Sequence, residues 1–193
     1  QDGTAARALE FGVLCAARTG EILGCRFDEI DSAGVWRVPA ARMKGGEEHT
    51  VFLSPRAREI VDAQRLIGSQ YVFPSPINTE KPMSNMAMLT LLRRMKFASE
   101  TTVHGLCRAS FSSWANEHAV ARPDVIEAAL AHQERDRVRG AYNRASFDKE
   151  RQSLLAAWAL YCGDGGLRTD TAAPSPNVIH LPNLPVQRQL HVA

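Results

Sequence analysis

One stretch of strand-type alternation interrupts a chain that is otherwise patterned for helices. Val35-Trp36-Arg37-Val38-Pro39 alternates apolar and polar residues, and Thr50-Val51-Phe52-Leu53 offers a second short strand. A loop containing Lys44-Gly45-Gly46 joins them, which predicts an antiparallel β-hairpin. Everything around the hairpin has helical spacing. From Thr4, read as an N-cap, to Ala17 the residues Ala8, Leu9, Gly12, Val13 and Ala16 share a face, and Ile22 and Leu23 point inward from a short helix over 19–26. Ser54-Pro55 starts a helix that reaches about Ile67, with Ser as cap and Pro at the first helical position. Tyr71 to Pro82 reads as a loop with one extended piece, Tyr71-Val72-Phe73, and Ser84 caps the helix carrying Met88, Leu89, Leu91, Leu92 and Met95. Further helices are expected near 107–119, 123–132, 134–145 and 148–161. The expected fold class is therefore α+β, mainly α-helical, with one small antiparallel sheet.

After Cys162 the periodicity stops, and the last 31 residues hold four of the ten prolines. Residues 1–162 are read as the folded domain and 163–193 as a Pro-rich, flexible C-terminal tail, unless the tail packs on another surface. A helix begins within a few residues of Gln1, as in a piece of a longer protein. With 45% hydrophobic and 23% charged residues, wholesale disorder is excluded. The longest apolar runs are far short of a membrane span. Cys15, Cys25, Cys107 and Cys162 form no CxxC pair, which reads as reduced thiols in a cytoplasmic protein. A net charge of +2 is too small to mark a nucleic-acid binder by itself. Arg supplies 19 of the 23 basic residues, which suits forked contacts to phosphate but also follows from a GC-rich genome.

Five local patterns could carry chemistry. Arg18 and Glu21, in Ala17-Arg18-Thr19-Gly20-Glu21, either form an internal ion pair or Glu21 aims Arg18 at a ligand phosphate. Lys44 is either a solvated turn residue or an ammonium carried to a substrate on a mobile tip. His104-Gly105-Leu106-Cys107-Arg108 opens a helix, where it serves capping and packing or an anion site. His104 with Cys107 would be half a metal site, but no second pair with ligand spacing follows, so no metal is expected. His132, in Leu130-Ala131-His132, closes a helix, and Tyr142 lies ten residues beyond it.

Taken together, the order Arg18, Lys44, His104, Arg108, His132, Tyr142 resembles the catalytic domain of the tyrosine recombinases, specifically phage and genomic-island integrases that insert at tRNA genes. Val38-Pro39 before Arg42-Met43-Lys44, Val72-Phe73-Pro74-Ser75 and Ser84-Asn85-Met86 fit as well, so the likeness covers about residues 5 to 162. It implies site-specific DNA recombination, integration or excision, through a 3′-phosphotyrosyl link on Tyr142 with release of a 5′-hydroxyl. It further implies that Arg18 and Arg108 hold the non-bridging oxygens and Lys44 protonates the leaving 5′-oxygen. His104 and His132 would donate to the phosphate, His104 also accepting the tyrosine proton, while Glu21 orients Arg18. Neither cofactor nor ATP is implied, because the covalent link conserves the bond energy.

The partners implied are double-stranded DNA attachment sites, other subunits in a tetramer on DNA, and accessory DNA-bending or directionality factors. The implied location is the cytoplasm, at the bacterial nucleoid. Such integrases also carry an arm-binding and a core-binding domain, and the segment after the tyrosine often docks on a neighbouring subunit. This chain departs from the family's His-x-x-Arg motif, because Cys107 stands at the Arg position and Arg108 follows it. An extra residue in the preceding loop would displace His104. One in the first helical turn would be absorbed by a bulge, and the alternative outcome is a catalytically impaired DNA-binding remnant of a prophage integrase.

Overall fold

The computed structural model describes residues 3–132 and 146–164. The helix expected over 134–145, Tyr142 and nearly all of the 163–193 segment lie outside the described residues.

Helix α1 (Thr4–Leu14) runs through the middle of the fold. Its N-cap is Gly3, not Thr4; the left-handed φ of 135° suits glycine, and Thr4 is already helical. The inward face is wider than the apolar spacing suggested. Phe11 is fully buried, with ring centroids 5.4 Å from Trp36 and 5.3 Å from Phe73, whereas Val13 is only partly buried. A helix packed on several sides has no single amphipathic stripe. Gly12 permits this crowding, since a Cβ there would stand 2.4 Å from Ile22 Cδ1 and 3.1 Å from Cys107 Sγ.

Helix α2 (Thr19–Leu23) leads to the hairpin of β1 (Val35–Val38) and β2 (His49–Phe52), antiparallel with Val35 opposite Phe52 and Val38 opposite His49. Trp36, Val38, His49 and Val51 face the core. Strand β2 begins one residue earlier than its apolar pattern implied, because His49 also points inward. Helix α3 (Pro55–Arg65) opens as expected: Ser54 Oγ accepts from the Ala57 N–H at 3.3 Å. The extended piece at 71–73 is held by single bridges, with Val72 N–H donating to the Cys25 carbonyl at 2.9 Å.

Helix α4 (Ala87–Arg94) starts later than Ser84, whose hydroxyl instead accepts from the Met86 N–H in a turn. Helix α5 (Ser110–Glu117) is preceded by helical residues from Val103 onward, so this segment starts before 107. Helix α6 (Pro123–Ala129) stops short of His132. Helix α7 (Asp148–Asp164) lies back on the chain itself: Leu154, Leu155 and Trp158 are buried, and Trp158 Nε1 donates to the Val13 carbonyl at 2.7 Å. Arg151 Nη1 donates to the Thr50 carbonyl at 2.9 Å, tying α7 to β2.

Candidate active site

Helices α1 and α6 end in the same way, and the site is built where their ends meet. After α1, Ala17 N–H donates to the Gly12 carbonyl and Ala16 N–H to Val13; after α6, His132 N–H donates to Glu127 and Ala131 N–H to Ala128. These are paired Schellman closures with left-handed alanines, Ala16 at φ 49° and Ala131 at φ 49°. Each closure turns the chain outward and leaves carbonyls at the negative helix end without helical partners.

Two guanidinium groups fill that need. Arg108, only 3% exposed, donates from Nη1 to the Ala16 carbonyl at 2.8 Å and from Nη2 to the Leu130 carbonyl at 2.6 Å. Arg18 donates from Nη2 to the carbonyls of Leu130 at 3.3 Å and Ala131 at 3.2 Å. Glu21, itself buried, grips Arg18 twice, accepting from its backbone N–H at 2.9 Å and from Nη1 at 2.7 Å. The Arg18–Glu21 ion pair is thus internal, and it directs the guanidinium to the carbonyls at the end of α6.

Leu130 O is shared by both arginines, so two cations lie side by side with one carboxylate behind them. Burial first, then the neighbouring Arg18 charge, push Arg108 down to about 10. Its Nε is buried without a partner among the described residues. His132 borders the pair, with Nε2 2.9 Å from Arg108 Nη2 and Nδ1 2.7 Å from Glu127 Oε2. Arg18 keeps 24% and His132 43% side-chain exposure, so Arg108 is the innermost of the three.

The helix is locally wider between His104 and Arg108. Gly105–Ala109 is a π turn, in which Ser110 N–H reaches back five residues to the Gly105 carbonyl. A π turn holds one more residue than an α turn, so the helix after it regains its phase. Cys107 consequently packs in the core, where burial raises its thiol to about 12, while Arg108 enters the pocket.

Residues 2–149 match the sequence profile described as the phage integrase family. The chain belongs to the phage integrase family. Among similar proteins, the prophage integrase IntA of Escherichia coli K12 is 39% identical over 150 residues, covering 76% of this chain and 36% of that protein. The prophage integrase IntZ of the same strain is 37% identical over 155 residues, 79% of this chain and 38% of the other. The integrase of Enterobacteria phage P4 is 30% identical over 168 residues, 78% and 38%. The chain thus spans little more than a third of the length of these relatives. No solved structure matches significantly.

In this family member the remaining sequence-singled residues fall in different places. Lys44 is exposed in the turn between the strands and has no hydrogen bond or ion pair among the described residues. His104 is exposed at the start of the π turn and makes no hydrogen bond to Arg18, Arg108 or His132. Tyr142 lies outside the described residues. Among those residues no group of three or more His, Cys, Asp or Glu could hold a metal ion, and no helix is long and apolar enough to cross a membrane.

Two residues near the pocket went unread in the sequence. His49, on the inward face of β2, is pushed down to about 4 by burial and then by Arg151. Its signal was the inward alternation of His49 and Val51, one residue upstream of the apolar strand. Glu127 was hidden because five residues on a regular helix separate two side chains by roughly 140°; the Schellman closure brings Glu127 and His132 together.

Proposed function

We propose that this chain is the catalytic part of a site-specific recombinase that cleaves and rejoins DNA through a 3′-phosphotyrosyl link. Tyr142 Oη attacks the scissile phosphorus, the bond to the 5′-oxygen breaks, and Lys44 supplies that oxygen with a proton. Arg18 and Arg108 neutralise the charge that grows on the non-bridging oxygens. His132 and His104 donate to the phosphate, and His104 takes the tyrosine proton. Glu21 holds Arg18 to its task. In the longer protein the substrates are double-stranded attachment sites, bound by a tetramer assisted by bending or directionality factors.

The observation that carries this reading is the sharing of the Leu130 carbonyl by two guanidinium groups. Like charges are held together there at a cost, and the lowered proton affinity of Arg108 marks a place where an anion would be welcome. Against a remnant without chemistry stands the π turn, which keeps Arg108 in this pocket despite the added residue.

The test uses a randomised pool of nicked duplexes, from which covalently captured DNA is recovered on denaturing gels. The expected result is a protein–DNA adduct that disappears in Tyr142→Phe. Salt-sensitive retention of DNA without any adduct would instead identify a binding remnant. If no DNA is retained even at low salt, both readings fall.

A further inference from the structure

Glu127 Oε2 lies 2.7 Å from His132 Nδ1, and a carboxylate only accepts, so Nδ1 carries a hydrogen. Across the ring, Arg108 Nη2 lies 2.9 Å from Nε2, and a guanidinium only donates, so Nε2 presents its lone pair. The two neighbours select the same neutral tautomer. Neither the family match nor the motif spacing singles out Glu127.

We propose that Glu127 is a positioning residue for His132, holding the ring as the Nδ1–H tautomer with Nε2 turned toward the arginine pocket. The inference rests on the proposed role of His132 as a phosphate contact and deepens it. An imidazole that donates to phosphate needs a hydrogen on Nε2. With Nδ1–H retained by Glu127, that hydrogen is a second proton, taken from solvent when a phosphate oxygen replaces the lone pair's bond to Arg108. Among the described residues the charged groups around the ring are Arg108 from the π turn, Arg18 at the start of α2, Glu21 behind Arg18, and Glu127 on the same element. The pairing follows from the helix closure: Glu127 and His132 are joined by its backbone bond of widest sequence span, His132 N–H to Glu127 O at 3.0 Å.

Half-exposed side chains make substitution safe for the fold, with Glu127 54% and His132 43% exposed. The 193-residue chain is labelled with ¹⁵N-histidine, and long-range ¹H–¹⁵N spectra report which ring nitrogen bears hydrogen; His132→Asn assigns the signal. The native protein should show Nδ1–H at His132, Glu127→Gln should keep it through its amide oxygen, and Glu127→Ala should move the ring toward Nε2–H. A native Nε2–H ring, or a tautomer indifferent to Glu127→Ala, overturns the proposal.

A second readout is the rate of adduct formation on a nicked duplex recovered from the pool above. Glu127→Ala should slow it roughly tenfold, with DNA retention unchanged and partial recovery in Glu127→Gln. An unchanged adduct rate together with a changed tautomer overturns the positioning role. If the native chain forms no adduct while the tautomer responds as stated, the recombinase reading fails and the Glu127–His132 assignment stands.

Discussion

Arg108 and Lys44 are cations proposed to act on the same phosphodiester, and the fold treats them in opposite ways. Arg108 is fixed at the bottom of a pocket, its guanidinium spread over carbonyls from two helix ends and a histidine ring. Lys44 stands in solvent on the turn of a hairpin whose strands are four residues each. The difference suits the two tasks proposed for them. Charge that must meet a fleeting transition state is most effective when its geometry is set during folding. A proton donor has to reach one oxygen and then leave, which a flexible four-carbon stem on a turn can do.

The sharpest way to break this comparison is Arg108→Lys, which keeps the charge and discards the fork. A lysine cannot span the carbonyls of Ala16 and Leu130, so adduct formation should fall about a thousandfold. A variant within tenfold of native would show that charge alone suffices at the pocket floor. Lys44→Ala should leave urea-unfolding stability within about 0.5 kcal/mol, since the side chain is exposed. It should slow cleavage about a hundredfold. A duplex with sulfur in place of the bridging 5′-oxygen, whose leaving group needs no proton, should restore most of that loss. Failure of the sulfur substrate to do so would remove Lys44 from the role of acid.

His49 tests how firmly the hairpin is moored to the pocket. Its folded-state pKa of about 4 lies below the ordinary histidine value of 6.5, so protonation favours the unfolded chain. Its contribution is intact above about 6.5 and drains away as pH falls toward 4, by on the order of 2–3 kcal/mol. Urea titrations at pH 7 and pH 4.5 should therefore diverge in the native protein and diverge less in His49→Gln. Equal divergence in both would place the acid sensitivity elsewhere. The smallest expected effect is at the helix closures. Ala16→Gly or Ala131→Gly should raise stability by a few tenths to about 1 kcal/mol in thermal unfolding, because glycine takes the left-handed conformation without penalty.

Much of the architecture could be read from spacing because local rules and tertiary packing agree there. The hairpin, the Ser54-Pro55 helix start and the inward faces of α2 and α4 are examples. Thr4, Ser84 and Phe11 went astray where they do not: hydroxyls next to helices serve turns as readily as caps, and a helix crowded on several sides hides its stripe. The pocket was legible in its side chains and not in its walls. Nothing in the letters of Ala16 or Ala131 announces a left-handed residue, which is usually signalled by glycine, and backbone carbonyls carry no sequence label at all. Glu127 and His49 were missed for the same reason, since each matters only through a chain reversal or a strand register that the packing creates.

The π turn at Gly105–Ala109 also bears on how such proteins drift apart. An inserted residue in a helix would ordinarily rotate everything beyond it by about 100° and scatter a functional surface. Here the wider turn is confined to Gly105–Ala109, and beyond it Phe111 packs on Trp158 with ring centroids 5.7 Å apart. A lineage with such a turn can lengthen a helix by one residue and keep its arginine in place. A search demanding a fixed interval between histidine and arginine would pass over those descendants, whereas one that lets that interval vary by a residue would find them.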